Sequence, residues 1–408
     1  MREMKDSGHE TIGLVPSDWT EKRLKYLCKI QTGNEDTQNA NPEGKYPFYV
    51  RSPIVEHCDR YTFDGEGILV AGDGAGAGRI FHHVYGKYAV HQRVYRLSHF
   101  AGNADFIYYY LSNLFPHEMD KGSAQSTVPS MRLPMLLNFP LFLPSKKEQD
   151  KIVTFLDSKC SEIDAISADI QKEIETLEQY KRSVITEAVT KGLNPEAEMK
   201  DSGIEWVGNI PVHWDVRPLY YYFAERKKKN YLGQEQNLLS LSYGKVIRKD
   251  INTSEGLLPD SFNGYNIIEP GDIVLRLTDL QNDKRSLRTG LVKEHGIITS
   301  AYVTLKAAKE VVPEYFHYLL HAYDVMKVLY NMGNGVRQGL NYSELSKMHI
   351  VAPPLDEQKN IAARLDCVCK GIESIIASKK QQLAVIDSYK KSLIYEYVTG
   401  KKEVPNEQ

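Results

Sequence analysis

Long apolar runs and enzyme motifs are both missing from this 408-residue sequence. No stretch approaches the roughly 18 uninterrupted apolar residues that cross a bilayer, and the opening MREMKDSGHE lacks the apolar core of a secretory signal. Cysteine is scarce, with five irregularly spaced residues. This argues against a disulfide framework and favours the reducing cytoplasm. The sequence therefore predicts a cytoplasmic location and no membrane partner.

An excess of charge of one sign is also missing. The formal net charge is −2, with 25% charged and 42% hydrophobic residues. This balance is ordinary for a globular protein, so bulk charge does not indicate a nucleic-acid partner and leaves only a local basic face open. The length suits two to three domains, each with its own core.

Catalytic and metal-ligand patterns are absent as well. There is neither HExxH nor the Asn-Pro-Pro-aromatic signature of amino-methyltransferases. Glu225 and Lys227 have nuclease-like spacing without a matching acidic partner, and Cys367 and Cys369 lack a second pair of zinc ligands. We predict no catalytic residues and no metal site.

One glycine-rich stretch invites a cofactor interpretation. Residues 72–79, GDGAGAGR, do not match G-x-G-x-x-G, because Ala77 and Arg79 fall where the third glycine belongs, and no Lys-Ser/Thr follows. A tight backbone turn is favoured over a cofactor cradle. Close approach to a nucleic-acid phosphate is the third alternative.

Internal repetition is the strongest feature present. Residues 4–8, MKDSG, recur unchanged as residues 199–203, and Trp19 recurs as Trp214, 195 positions later. Further pairs, from Glu148-Gln149 with Glu357-Gln358 to Val189-Thr190 with Val398-Thr399, recur 209 positions apart. The blocks between them do not repeat. One scaffold therefore holds two different modules, which suggests two recognition surfaces.

Each repeated block after a module predicts a long helix. From Ser145 to about Lys191 there is no Pro or Gly, and apolar residues recur every seven positions, with Ile152, Ile166 and Ile174 assigned to the same face. In the second copy Lys379 interrupts the series, and Ile361, Ile375, Ile376 and Leu383 widen the stripe. The predicted helix-pair seam is Leu156, Ile163, Ile170, Leu177, Val184, Leu365, Ile372, Ile386 and Leu393.

A helix of this length needs a partner for its seam. About 45 residues at roughly 1.5 Å each would extend near 65 Å, and the other copy is the simplest partner. Chain order then predicts an antiparallel pair with a pseudo-twofold internal repeat. The alternative is that each helix packs separately on its own domain.

The modules read as mixed α/β. Runs such as residues 67–70, 88–90, 272–275 and 301–305 predict strands, and residues 106–114 and 315–329 predict helices. We expect a first module at residues 1–143, including repeat block 4–27, and a first long helix at 144–192. A second module at 193–352, including block 199–223, and a second long helix with tail at 353–408 complete the division.

Three stretches carry a family resemblance. They are TKGLNPEAEMKDSGIEWVGNIPVHW (residues 190–214), RQGLNY (337–342) and PPLDEQ (353–358). Together with the repeats, they resemble the DNA-specificity subunit of type I restriction-modification systems, and the resemblance covers essentially the whole chain. The first copy departs from the pattern at Lys146-Lys147, where the second has Pro-Leu-Asp.

The resemblance implies two target-recognition domains that each read half of a bipartite sequence in double-stranded DNA, separated by a long antiparallel two-helix coiled coil. It implies two methyltransferase subunits and two restriction and translocase subunits as partners. S-adenosylmethionine, ATP and magnesium are then expected on those partners, with no cofactor in this chain.

Polar residues in turn-rich stretches beside strands are the candidate DNA contacts, because Arg, Gln and Ser read base edges and Lys and Arg bind phosphates. In the first module they are Arg79, Lys121, Ser123, Gln125, Ser126 and Arg132. In the second they are Arg276, Thr278, Arg285, Arg288, Arg337, Gln338 and Tyr342. Gln125 and Gln338 lie at similar distances before their long helices. Two alternatives stay open: a single-chain DNA nuclease or methyltransferase, and a coiled-coil scaffold that binds only proteins.

Overall fold

The chain divides into two compact units in a computed structural model that describes residues 2–122, 129–251, 261–280, 287–332 and 339–405. The first unit comprises Met1–Gln171 with Lys380–Gln408, and the second comprises Lys172–Lys379. Each unit therefore holds one module together with part of both long helices. The predicted bounds gave each long helix a segment of its own, and they remain a prediction.

Among its described residues, the first module contains two α-helices, and a third, much longer α-helix follows it. The helices are α1 (Ala104–Gly122), α2 (Leu133–Leu137) and α3 (Lys146–Lys191). The strands are β1 (Met4–Asp6), β2 (Leu14–Pro16), β3 (Thr20–Arg23), β4 (Lys29–Thr32), β5 (Tyr46–Tyr49), β6 (Glu56–Cys58), β7 (Phe63–Asp64), β8 (Gly67–Ala71), β9 (Phe81–Val84), β10 (Lys87–Val90), β11 (Val94–Ser98) and β12 (Pro140–Leu143).

The second module follows a similar order. Its helices are α4 (Pro313–Val325) and α5 (Tyr342–Leu345), followed by the long α6 (Leu355–Val398). Its strands are β13 (Met199–Asp201), β14 (Asn209–Pro211), β15 (Asp215–Pro218), β16 (Phe223–Glu225), β17 (Leu239–Ser242), β18 (Lys245–Arg248), β19 (Asn266–Ile268), β20 (Ile273–Leu275), β21 (Thr289–Leu291), β22 (Gly296–Ile298), β23 (Val303–Ala307) and β24 (His349–Ala352). The mixed helix-and-sheet class and the long helices are confirmed.

Each module contains its own four-stranded antiparallel sheet with the same arrangement of strands, called the shared sheet below. Its strand order is β4-β11-β8-β9 in the first unit and β16-β23-β20-β21 in the second. In both, the third and fourth strands form a hairpin. The third strands in these orders, β8 and β20, are fully buried, as expected for apolar runs covered on both faces. The two modules therefore have equivalent sheets although their sequences do not repeat.

The remaining strands divide into a repeated set and a divergent set. The pairs β1-β2 and β12-β3 in the first unit correspond to β13-β14 and β15-β24 in the second. By contrast, the first unit adds a four-stranded sheet, β6-β5-β10-β7, with β5 and β10 parallel, where the second has the pairs β17-β18 and β19-β22. The modules thus differ most in what is attached to the common sheet.

The long helices pair antiparallel within each unit. In the first unit the Phe155 ring contacts that of Tyr397, with centroids 4.5 Å apart, and Lys390 Nζ lies 2.6 Å from Asp164 Oδ1. In the second unit Lys379 pairs with Glu173, and Lys181 with Glu373. Residue numbers rise on one helix as they fall on the other, so the predicted antiparallel pairing is confirmed.

The apolar residues that recur every seven positions line this contact. Leu156, Ile163, Leu365, Ile372 and Leu393 are buried, and Ile170, Leu177, Val184 and Ile386 are half-buried. The second series on the seam lies four positions further on, where Cys160, Ile174, Lys181, Cys369, Ile376 and Lys390 are buried or half-buried. Placing Ile166 and Ile375 on this face was wrong. Each lies three positions after a seam residue and is about half exposed, at 52% and 49%.

Each module is joined to its long helix by the same glutamine contact. The side-chain carbonyl of Gln149 accepts from the Asn103 amide just before α1, and its amide donates to the Pro144 carbonyl, at 3.0 and 2.9 Å. Gln358 repeats both bonds, with the Val312 amide before α4 and the Pro353 carbonyl. Both side chains are buried. These bonds fix where each module helix begins against the long helix.

A second repeated contact lies further along the same junction. The Tyr109 hydroxyl donates to Asp157 Oδ1, and the Tyr318 hydroxyl donates to Asp366 Oδ1, both at 2.7 Å. Burial raises the pKa of both phenols, and the carboxylates add to that effect. The tyrosines therefore stay protonated and able to donate throughout the neutral range.

Candidate nucleic-acid interface

A hairpin loop projects from the shared sheet in each unit. The first-unit hairpin loop, residues 72–80, joins β8 to β9. The second-unit hairpin loop, residues 276–288, joins β20 to β21, and its residues 281–286 lie outside the described ranges. In the first, the amides of Gly72, Ala77, Gly78, Arg79 and Ile80 donate to backbone carbonyls. Gly74 and Gly78 have positive φ angles of 75° and 65°, which glycine adopts without strain. These internal bonds support the tight-turn interpretation of GDGAGAGR over a cofactor cradle.

The hairpin loop in each unit binds the segment that leads into the next short helix. The Met131 amide donates to the Gly72 carbonyl at 2.8 Å, and Asp73 forms a backbone bridge with Ser130. In the second unit the Leu340 amide donates to the Leu277 carbonyl at 2.9 Å. Met131 and Leu340 are equivalent positions, 209 apart. The structure thus brings together, in both units, two stretches selected separately from the sequence.

Several candidate side chains lie outside the described residues. These are Ser123, Gln125 and Ser126 in the first module and Arg285, Arg337 and Gln338 in the second. Lys121 lies in the last turn of α1, but its side chain is likewise outside the description. The matched pair Gln125 and Gln338 therefore stays a prediction.

The described first-module candidates are accessible. Arg79 is about half exposed, and its Nη2 lies 2.5 Å from Oδ1 of Asp120 in the last turn of α1. Arg132 is exposed immediately before α2 and makes no side-chain capping bond to it. Arg79 thus faces α1 from the hairpin loop, and Arg132 follows directly after Met131, whose amide binds that loop.

Arg288 is the clearest correction among the second-module candidates. Its side chain is fully buried, and its guanidinium donates to the carbonyls of Arg276, Thr278 and Asp279 at 3.2, 2.7 and 3.0 Å. Its amide donates to Asp324 at 2.7 Å. A guanidinium that satisfies carbonyls inside the module cannot also reach a base or phosphate. Arg288 shapes the hairpin loop from within.

The other described second-module candidates differ in exposure. Thr278 is exposed and Arg276 half-buried at the base of the same hairpin loop. Tyr342 is half-buried, and its hydroxyl donates to the Phe223 carbonyl at 2.9 Å. Its phenol therefore ties α5 to β16, while Arg276 and Thr278 remain candidates for contact.

Two arginines beside the first-unit hairpin loop were not selected from the sequence. Arg51 Nη1 lies 3.0 Å from Asp73 Oδ1, and Arg93 Nε lies 3.8 Å from Asp73 Oδ2. They come from turns after β5 and before β11, so only the folded sheets bring them to the loop. No local motif marks them.

Metal and membrane sites were sought throughout the described ranges. Within those ranges, no cluster of three or more His, Cys, Asp or Glu side chains is arranged to hold a metal ion. Among the helices described, none has the length and apolar character needed to cross a bilayer.

A family model for the type I restriction modification DNA specificity domain matches residues 16–176 and 281–385. The matched ranges include the shared sheet and the whole hairpin loop of the first unit, part of the second-unit hairpin loop and most of both long helices. The chain belongs to this family. The resemblance drawn from the repeats and connectors is thereby confirmed, and the family's role is specificity rather than catalysis.

Relatives within the family cover different shares of the chain. The MjaVIII specificity subunit of Methanocaldococcus jannaschii is 25% identical over 96% of this chain and 95% of its own length. The EcoDI specificity subunit of Escherichia coli is 27% identical over 46% of this chain and 41% of its own. A chain from a solved type I restriction-modification complex, 14% identical, covers 95% of this chain and 99% of its own with a TM-score of 0.66, which supports the family fold.

Proposed function

We propose that this chain reads a bipartite sequence in double-stranded DNA, one half with each module, for a type I restriction-modification complex. The modules are proposed as target-recognition domains at residues 1–143 and 193–352. The observation that carries the proposal is the repeated hairpin loop on a repeated sheet. The sheet is the same in both modules, whereas the side chains of the hairpin loop differ. Two domains that recognise different DNA sequences require such a difference.

The test is exchange of one reader. Residues 17–143 are replaced by the equivalent module of a relative, and methylated sites are mapped in host DNA by single-molecule sequencing. One half of the recognised sequence should change, while the other half and the gap persist. Exchange of residues 215–352 is the matched control and should change the opposite half. If either exchange altered both halves, independent reading would be wrong.

The alternatives predict other results. A single-chain nuclease or methyltransferase would cut or methylate DNA when the purified chain alone is given S-adenosylmethionine and magnesium. A protein-only scaffold would leave duplex DNA unshifted in a gel even with the methyltransferase present. In the proposed function the isolated chain has no catalysis, because the cofactors S-adenosylmethionine, ATP and magnesium bind to partner subunits.

We further propose that two methyltransferase subunits bind the chain, one on each unit, with two restriction and translocase subunits completing a cytoplasmic complex. Support comes from repeated exposed apolar residues on the long helices. The first unit exposes Ile166 and Tyr389, and the second exposes the equivalent Ile375 and Tyr180, each by about half. Exposed apolar residues that recur at equivalent positions are suited to two copies of one partner.

Binding stoichiometry tests this assignment. Tyr180→Ala should reduce the bound methyltransferase from two copies to one, and Tyr389→Ala should do the same at the other unit, as measured by native mass spectrometry. Tyr243→Ala, which removes another exposed tyrosine outside the long helices, is the control. Two bound copies in every variant would contradict the placement.

A further inference from the structure

We infer that Arg51 and Arg93 form a phosphate-binding pair at the first-unit hairpin loop, held in position by Asp73. The inference rests on the proposed DNA-reading function and adds residues to it. The two arginines face the two oxygens of one carboxylate, at 3.0 and 3.8 Å. Two positive charges thus surround one negative charge at the edge of the loop.

The arginines remain accessible although they are paired. The Arg51 and Arg93 side chains are 45% and 68% exposed, whereas that of Asp73 is 24% exposed. The carboxylate therefore lies beneath the guanidinium groups, which keep much of their surface in water. Arginine presents several N–H donors in a fixed fork that fits phosphate oxygens.

The backbone fixes this arrangement from three directions. The Gly72 amide donates to the Arg93 carbonyl at 2.8 Å, and Asp73 bridges Ser130. A Cβ on Gly76 would come within 2.7 Å of the Arg51 carbonyl, so the loop needs glycine there to approach Arg51. The pair is therefore joined to both stretches of the candidate interface. Side chains held in place before binding lose less conformational freedom on binding.

Asp73 has a second consequence for DNA. Its charge repels phosphate and offsets part of the attraction of the arginines, so it limits sequence-independent binding while it orients the pair. Phosphate contacts set the register of a reader without selecting bases. The pair is thus expected to support affinity for any duplex, and Asp73 to restrain it.

The experiment measures duplex binding by the complex of the full chain with its methyltransferase subunits. The probes are a duplex with the mapped recognition sequence and one of random sequence. Arg51→Ala and Arg93→Ala should each weaken binding to both duplexes by a similar factor, about three- to tenfold, and lower the salt slope by about one. Asp73→Asn should strengthen binding to the random duplex about threefold. The ratio of the affinity for the recognition sequence to that for the random duplex should therefore fall.

Two controls separate local effects from loss of any charge. Lys402→Ala removes an exposed cation paired with Glu396, and Asp18→Asn removes an exposed carboxylate paired with Arg2. Both should bind DNA as the wild type does. Melting temperatures should stay near the wild-type value throughout, because exposed ion pairs contribute little to stability.

The outcomes distinguish this inference from the proposed function. Wild-type affinity in both arginine variants would contradict the inference that the arginines bind phosphate. A loss of affinity only for duplexes altered at one base position would contradict it too, since phosphate contacts act on every sequence. If the wild-type complex bound both duplexes equally, sequence reading would fail. The arginine variants on the random duplex would then still test the pair.

Discussion

The two units attach their modules to the long helices with the same side chains but hold their hairpin loops with different ones. Gln149 and Gln358 make matching bonds at the junctions. At the loops, exposed ion pairs of Asp73 contrast with a fully buried Arg288 that binds three carbonyls. The attachment of a module to its long helix is therefore the same in both units, whereas the side chains that hold the hairpin loop differ between them.

A smaller difference lies where the repeated tryptophans meet the long helices. In the second unit Trp214 Nε1 donates to Glu357 at 3.1 Å, and His213 binds the same carboxylate. In the first unit Arg2 donates to the equivalent carboxylate of Glu148, and the buried Trp19 Nε1 has no hydrogen-bond partner. The repeat is thus imperfect even inside the shared frame, at the point where the first copy has Lys146-Lys147.

The largest expected effect concerns the way each hairpin loop is held. Arg288→Met should destabilise the second unit by about 4 kcal/mol, because three carbonyls lose the donor that a fully buried guanidinium supplies. Arg79→Met in the first unit should cost less than about 1 kcal/mol, because its pair with Asp120 is exposed. Hydrogen exchange resolved by unit measures both. Equal losses would remove the contrast between the loops.

Equivalent seam residues should respond alike. Leu156 and Leu365 are both fully buried at matching positions, so Leu156→Ala and Leu365→Ala should each cost about 3 kcal/mol. Each loss should be centred on its own unit in the same exchange measurement, and the surviving complex should methylate the same sequence. A change in the bases read would mean that the seam also shapes the readers.

Acid should affect the second unit through two histidines on α4. Burial lowers the pKa of both His317 and His321 to about 4, helped for His321 by Lys181 and Arg182. For His317, His321 and Lys293 also lower the pKa, while a bond to Thr289 and the charge of Asp366 oppose the shift. The equivalent first-unit positions hold Tyr108 and Ser112.

The sign of this effect follows from proton uptake. Between pH 6.5 and 4 the unfolded chain binds more protons at these histidines than the folded chain does, so stability falls as the pH falls. The loss should be on the order of a few kcal/mol in total, at about 1.4 kcal/mol for each unit by which a pKa is lowered. A double variant, His317→Gln with His321→Gln, should flatten the urea-unfolding midpoint of the second unit across this range. An undiminished acid response would assign the effect to other groups.

A smaller effect than those of the seam and the histidines should come from the repeated tyrosine contacts. Tyr109→Phe and Tyr318→Phe each remove one hydrogen bond to a carboxylate and should cost about 1 kcal/mol apiece. The two losses should agree within error in chemical denaturation. A clearly larger loss in one unit would show that the junctions, although alike in geometry, are not alike in energy.

Heptad spacing was sufficient to predict the long helices and most of their seam, because a seven-residue repeat has one geometric meaning on a helix. It did not identify Lys181 and Lys390 as seam residues, since lysine is ordinarily exposed. Their ion pairs across the helices, with Glu373 and Asp164, let them occupy half-buried positions. Such pairs depend on the partner helix and are invisible in either helix alone.

The candidate interface was predictable in part. Where they are described, the turn-rich stretches lie beside the sheet, and the fold brings them together through Gly72 with Met131 and Leu277 with Leu340. Their contact with DNA stays a prediction. Arg288 was misassigned because its burial depends on carbonyls supplied by other turns. Arg51 and Arg93 were missed for the opposite reason, as they reach Asp73 only once the sheets have formed.

The glutamine junction has an evolutionary consequence. Gln149 and Gln358 bind backbone amides and carbonyls, groups that every residue except proline supplies in full. A foreign module can therefore dock on the same glutamine whatever side chains it carries, provided that its first helix starts at the same place. Recombination between related genes could then exchange a module in one step, leaving its attachment intact while natural selection acts on the new loop alone.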